Sequence, residues 1–274
     1  MTPPVMEPDN HFSDGPALAR VRLFVTYHGA FFHGFASNNE SPTVEDALVA
    51  AMSTITRIPV RISTAGRTDA GVHARQQVIS LDIPSNTHLE SFVRGVNSLC
   101  APNVAVSDAQ WMDDSFDARR SATWRRYRYF VCNQPTPNPL VKDFAWYVHR
   151  PLSVPLMNLA ADAFVGHHDF SAFCRREPTP EGAEPKSMMR YLLDIAWHDE
   201  GEGNLVCEIR ANAFCHQMVR GMVGFLVDVG LKKRPPSDAM AVLLAKDRAH
   251  GSRVAPAHGL VLWDVGYEGT RLHP

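Results

Sequence analysis

Hydrophobic periodicity divides the chain into short β-rich runs and segments whose apolar positions recur three or four apart. Residues 21–27, VRLFVTY, form the first β-branched and aromatic run. Thr43 then opens a helix, with Asp46 three positions on and Val44, Leu48, Met52 and Ile55 falling on one face. Strands are predicted at 60–64 and 77–83, and the segment 65–74 leaves the first of them as a loop. Thr87 and Glu90 form a capping-box pattern ahead of a second helix, whose stripe is Leu89, Phe92, Val93 and Val96. A strand at 104–111 closes the set. The second half repeats the order, with a strand at 124–131, a helix at 155–165, strands at 191–198 and 205–211, a long helix at 214–229 and a strand at 260–267. A further helix is predicted at 237–246.

The order β-α-β-β-α-β, met twice, predicts an α+β fold. It consists of two RRM/ferredoxin-like (split βαβ) halves with mainly antiparallel sheets flanking a central cleft. The expected organisation is a disordered N-terminal tail over residues 1–18, an α/β domain over 19–112 carrying the loop 65–74, and a second α/β domain over 113–274. The tail holds Pro3, Pro4, Pro8 and Pro16 among several acids, neither the basic start nor the apolar centre of a secretion signal.

Composition narrows the function class. Hydrophobic residues make up 45% of the 274 and charged residues 20%, and no apolar run approaches the roughly 18 residues that cross a bilayer. The five cysteines (Cys100, Cys132, Cys174, Cys207, Cys215) are odd in number and form no C-x-x-C pair. They suggest neither a disulfide framework nor a zinc site, and a reducing cytoplasm fits them. A net charge of −2 argues against coating nucleic acid by bulk attraction. The charge is clustered, however: residues 115–130 contain Arg119, Arg120, Arg125, Arg126 and Arg128 against Asp117, five cations less one anion, or +4.

Three segments carry candidate chemistry. Residues 65–74 read AGRTDAGVHA, placing Asp69 between two glycines with Arg67 and His73 as polar neighbours. Such an acid is ordinarily a turn residue, but a carboxylate fixed in a loop among cationic or dipolar groups also suits covalent chemistry. Residues 121–130, SATWRRYRYF, alternate on a strand so that Trp124, Arg126, Arg128 and Phe130 share one face and Arg125, Tyr127 and Tyr129 the other. Guanidinium groups interleaved with rings suit RNA, one holding phosphates and the other stacking on bases. In and just after residues 212–224, Phe214, Met218, Met222 and Phe225 define a buried helical face. His216 and Arg220, four apart, share another and could point into a groove. An arginine beside a nucleophilic carboxylate keeps it ionised and aimed. No phosphate loop, dinucleotide fingerprint, H-E-x-x-H or G-x-S-x-G occurs.

Taken together, YHGAFFHGF, AGRTDAGVHA, RRYRY, HHDFSAF, ANAFCHQMVR and APAHGL, spread across residues 21–267, resemble the bacterial tRNA pseudouridine synthase A family. The resemblance implies isomerisation of uridine to pseudouridine in the anticodon stem-loop of tRNA, at the family's positions 38 to 40, by a cytoplasmic homodimer that needs no cofactor and no metal. It implies that Asp69 is the catalytic aspartate, attacking ribose C1′ or uracil C6. Tyr127 would stack on the target uracil, Arg220 pair with the aspartate, Arg67 hold RNA with its base extruded, and His73 support the loop. Arg125, Arg126 and His168 are further expected RNA contacts. The chain departs from the family pattern at Ala36, Ser37, Asn38, Asn39, Glu45, Gln217 and Gly221, which bear on how tRNA is gripped. Two other readings remain: a non-catalytic RNA-binding protein, and a metal-dependent phosphoesterase using Asp69, His73, His167, His168 and Asp169.

Overall fold

In β1 (Leu18–Tyr27) the buried positions Val21, Leu23, Val25 and Tyr27 alternate with more exposed ones, as a strand with one face on a core requires. The structure is a computed structural model that describes residues 16–38, 41–176, 178–179, 182, 184–270 and 272. The tail expected over 1–18 lies outside these except for 16–18, and Leu18 already belongs to β1. The remaining elements are α1 (Val44–Thr56), β2 (Ser63–Thr64), β3 (His73–Pro84), α2 (Leu89–Cys100), β4 (Val104–Trp111), β5 (Trp124–Cys132), β6 (Trp146–Tyr147), α3 (Val154–Ala161), β7 (Gly166–Asp169), β8 (Met189–Asp199), β9 (Asn204–Ala211), α4 (Met218–Gly230), α5 (Asp238–Ala245) and β10 (Leu260–Gly266).

The strands make one mixed, mostly antiparallel sheet in the order β4-β1-β3-β10-β5-β9-β8-β7, with β2 on β3 and β6 on β5. The fold is α+β. Its N-terminal and C-terminal strands meet at a short parallel seam, where His73 and Ala74 of β3 lie opposite Val261 and Leu262 of β10. One apolar cluster runs through both halves, from Val21 and Leu48 to Phe225 and Leu243. Each large side chain buried completely, such as Leu23 or Phe225, contributes roughly 1.5–3 kcal/mol.

Several boundaries differ from the sequence pattern, three of them for a clear local reason. The N-cap of α2 is His88, whose ring accepts from the Ser91 amide, rather than Thr87 of the Thr87/Glu90 pattern. Strand β3 starts at His73, four residues before the β-rich run, because β10 supplies ladder partners there. Helix α4 starts at Met218, since Gln217 sits in the left-handed region at φ 63° and ends the preceding turn.

Helix α4 is buried on nearly every side, with Arg220 and Asp228 its two half-buried positions. Close packing explains Gly221, because a Cβ there would lie 2.5 Å from the Phe173 carbonyl oxygen. An arginine on such a helix needs a partner. Among the described residues, no helix is long and apolar enough to cross a membrane.

Candidate active site

The loop from 65 to 72 joins β2 to β3 and ends at the seam between the halves. Backbone and side-chain bonds hold it along its length. The Ala65 amide donates to Val78 O at 2.9 Å, Gln77 Nε2 to Gly66 O at 2.6 Å, and the Phe35 amide to Thr68 O at 3.1 Å. The Thr68 hydroxyl is buried against Tyr27 OH at 2.7 Å. A turn follows, in which the Val72 amide donates to Asp69 O at 3.1 Å and Gly71 takes φ +79°. That conformation strains any L side chain and explains the glycine. Asp69 is thus fixed on both flanks.

Its carboxylate meets two groups from the other half of the chain. Arg220 Nη1 donates to Oδ2 at 2.9 Å, while Arg220 Nε donates to Ala255 O at 2.8 Å and so fixes the guanidinium plane. His216 Nε2 stands 3.5 Å from Oδ1. The Asp69 side chain remains 24% exposed, enough for a substrate atom to reach it. It opens into a cleft of about 1620 Å³ that Arg67, Tyr127, His216, Arg220 and Leu260 also line.

Tyr127 is buried at 7% exposure, edge-on to Phe214 with ring centroids 5.1 Å apart. Burial, and secondarily the neighbouring Tyr27 and Asp69, push its phenol far above the ordinary tyrosine range. It is therefore a neutral ring at any physiological pH. Arg67 is exposed at the cleft and has no ion pair among the described residues, which leaves its guanidinium available to a phosphate. Arg119, Arg175, Arg176 and Arg190 line the same space.

The other predicted residues are placed elsewhere. His73 is buried on β3, where its Nδ1 accepts from the Gly29 amide at 3.0 Å and its ring packs on His28 and Phe144. It does not line the cleft. Arg125, expected to reach RNA, is 5% exposed and directed inward. Its guanidinium donates to Ala65 O at 2.8 and 3.1 Å, Asn212 O at 2.9 Å, Arg119 O at 2.9 Å and Ala122 O at 3.2 Å. It ties the start of the Asp69 loop to the segment that carries His216 and Arg220. This burial corrects the expectation of a phosphate contact.

Arg126 and Arg128 do face outward, but acids on the flanking strands meet them. Arg126 makes a two-pronged pair with Asp264 of β10, and Arg128 pairs with Glu208 of β9 and lies 4.3 Å over the Trp263 ring. Two of the five cations counted along the sequence are therefore matched by acids across the sheet. His168 sits on β7, with Nε2 bonded to Val165 O at 3.0 Å. Among the described residues no group of three or more His, Cys, Asp or Glu is arranged to hold a metal ion, and His73 and His168 lie on separate strands.

Two contributors were missed in part. His216 was read as sharing a helix face with Arg220 and able to point into a groove, yet it reaches Asp69 from the turn before α4 rather than from the helix. Asn212, 2% exposed, accepts from the Tyr191 and Ala213 amides and offers its carbonyl to Arg125.

Comparison with known proteins agrees with this geometry. A protein-family model described as tRNA pseudouridine synthase matches residues 160–268. Proteins named tRNA pseudouridine synthase A are similar over nearly the whole chain. That of Frankia casuarinae is 41% identical, covering 91% of this chain and 90% of its own. That of Streptomyces griseus is 38% identical, covering 94% and 91%, and that of Bacillus subtilis 35% identical, covering 91% and 99%. Similarity of that extent shows that the chain belongs to the tRNA pseudouridine synthase A family, isomerases that convert uridine to pseudouridine in tRNA.

Proposed function

We propose that Asp69 is the catalytic carboxylate of this pseudouridine synthase and that its substrates are uridines of the tRNA anticodon stem-loop. One observation carries the reading. Asp69 is held between Arg220 and His216 at a reachable point of a cationic cleft, beside the buried ring of Tyr127. The target nucleotide must leave its stack to reach that depth, at a cost of a few kcal/mol, and Arg67 at the cleft offsets part of it by holding the backbone.

Asp69 then engages ribose C1′ or uracil C6 as the N-glycosidic bond breaks, with Arg220 keeping the carboxylate aimed. The freed uracil turns under Tyr127 and bonds through C5. A ring rigidly seated against Phe214 keeps the detached base from diffusing away.

The strand order supports reading the chain as two split-βαβ halves, residues 19–112 and 113–274, since β10-β5-β9-β8 and β4-β1-β3-β2 follow the same scheme. We further take the enzyme to be a cytoplasmic homodimer whose cleft receives one anticodon arm.

Incubating the protein with an unmodified tRNA transcript, then locating pseudouridine by carbodiimide labelling and primer extension, tests the substrate reading. Signals confined to the anticodon arm are expected. Modification only in another arm would overturn it.

A further inference from the structure

Isomerising uridine to pseudouridine removes the hydrogen on C5 and leaves one on N1, whichever route breaks the glycosidic bond. Once C5 has bonded to ribose C1′, it carries both the sugar and its original hydrogen, and a base must take that proton. C1′ and C5 are then directly bonded. The base must therefore stand next to the group that serves C1′, within the hydrogen-bond reach of about 2.6–3.2 Å that general bases need in the reacting complex.

Asp69, Tyr127 and His216 all line the cleft in which C1′ and C5 would sit. Tyr127 is unsuited, because its buried phenol does not ionise near neutral pH. Asp69 has Arg220 on Oδ2, and on the reading above it is occupied with the nucleotide. His216 remains. Its Nε2 lies 3.5 Å from Asp69 Oδ1, longer than a good hydrogen bond and so not locked onto the carboxylate. Its Nδ1 is buried with no hydrogen-bond partner among the described residues, and Nε2 is the ring nitrogen on the Asp69 side.

The ring is positioned by its backbone. The His216 carbonyl accepts from the Arg175 amide at 2.9 Å, and Gln217, fixed at φ 63°, accepts from Arg248 Nη2 at 2.7 Å. Imidazole is also the side chain that takes up and releases protons near neutrality.

We propose that His216 is the catalytic base that removes the C5 proton. The C5–H bond breaks and the proton passes to His216 Nε2. The electron pair of that bond re-forms C5=C6, the C6=N1 pair moves onto N1, and N1 takes a proton from solvent. His216 then releases its proton to water, so the C5 hydrogen exits as the isomer forms. The proposal rests on the reading of Asp69 as the carboxylate at the nucleotide.

Single-turnover formation of pseudouridine from tRNA carrying hydrogen or deuterium at uridine C5 tests it, using wild type, His216→Gln, His216→Ala and Asp69→Asn. The histidine variants are expected to be slower by about 10²-fold or more, to bind tRNA unchanged, and to show a primary deuterium isotope effect that wild type lacks. Added imidazole is expected to speed His216→Ala and shrink that effect. Wild-type rates in the histidine variants, or slow rates with no isotope effect and no imidazole rescue, would overturn the base. Turnover by Asp69→Asn would instead overturn the Asp69 reading, so the two failures are separable.

Discussion

The Asp69 loop and strand β5 are both rich in charge and aromatic neighbours, and the fold uses them in opposite ways. The loop supplies one acid and receives its counter-charge, Arg220, from the far half of the chain, leaving a reachable carboxylate in a cleft. Strand β5 supplies three arginines among aromatics, yet it spends Arg125 on interior carbonyls and Arg126 and Arg128 on acids of β10 and β9. A count of charge along a strand is therefore no measure of charge presented to a ligand. What decides is whether the partners arrive from neighbouring strands or must come from outside.

Replacing Arg125 separates a clamp from an RNA contact most sharply. Arg125→Ala leaves the buried Ala65 and Asn212 carbonyls without a donor, each costing about 1–3 kcal/mol, and a loss of several kcal/mol in denaturant unfolding is expected. Unchanged stability with weakened tRNA binding would return Arg125 to the RNA surface. Next in size is Arg220→Ala, which frees the carboxylate to turn away. Single-turnover rates are expected to fall by about 10²-fold, as misplacement of a reacting group does, while tRNA affinity stays nearly constant.

Salt titrations of tRNA affinity compare the two regions directly. Arg67→Ala should reduce the slope of log K against log salt by about one phosphate contact. Arg126→Ala and Arg128→Ala should leave the slope unchanged and cost no more than about 1 kcal/mol each in stability, as partly exposed pairs do. The reverse pattern would place the RNA across β5.

The smallest effect concerns His73. Burial, then the neighbouring His28, lower its pKa below the ordinary 6.5. The unfolded chain then binds more protons than the folded one in the window below 6.5, so stability falls as pH drops through it. The slope is at most about 1.4 kcal/mol per pH unit for one group. Denaturant unfolding at several pH values should show a shallower dependence in His73→Asn; an identical one would assign the slope to another group.

Much of the fold was legible because alternation and helical spacing are local. Residues 104–111 read as a strand and form β4 with the same bounds. The inward course of Arg125 was half visible too, since alternation put it on the face of Tyr127 and Tyr129, both of which are buried. The counter-charges were not visible, because Asp264 meets Arg126 across 138 positions and Asp69 meets Arg220 across 151. Helix α4 was drawn too long because the apolar spacing of Phe214 continues that of Met218 through a turn, and a left-handed Gln217 leaves no mark in a hydrophobic pattern. Strand β7 escaped because its sequence, GHHD, has none of the residues that favour strands.

The central claim is that the Asp69 carboxylate carries the chemistry. Tritium release from tRNA labelled at uridine C5, measured with tRNA affinity on the same preparation of Asp69→Asn, tests it most directly. Affinity near that of wild type with no release above background is expected. Release at an appreciable fraction of the wild-type rate would contradict it.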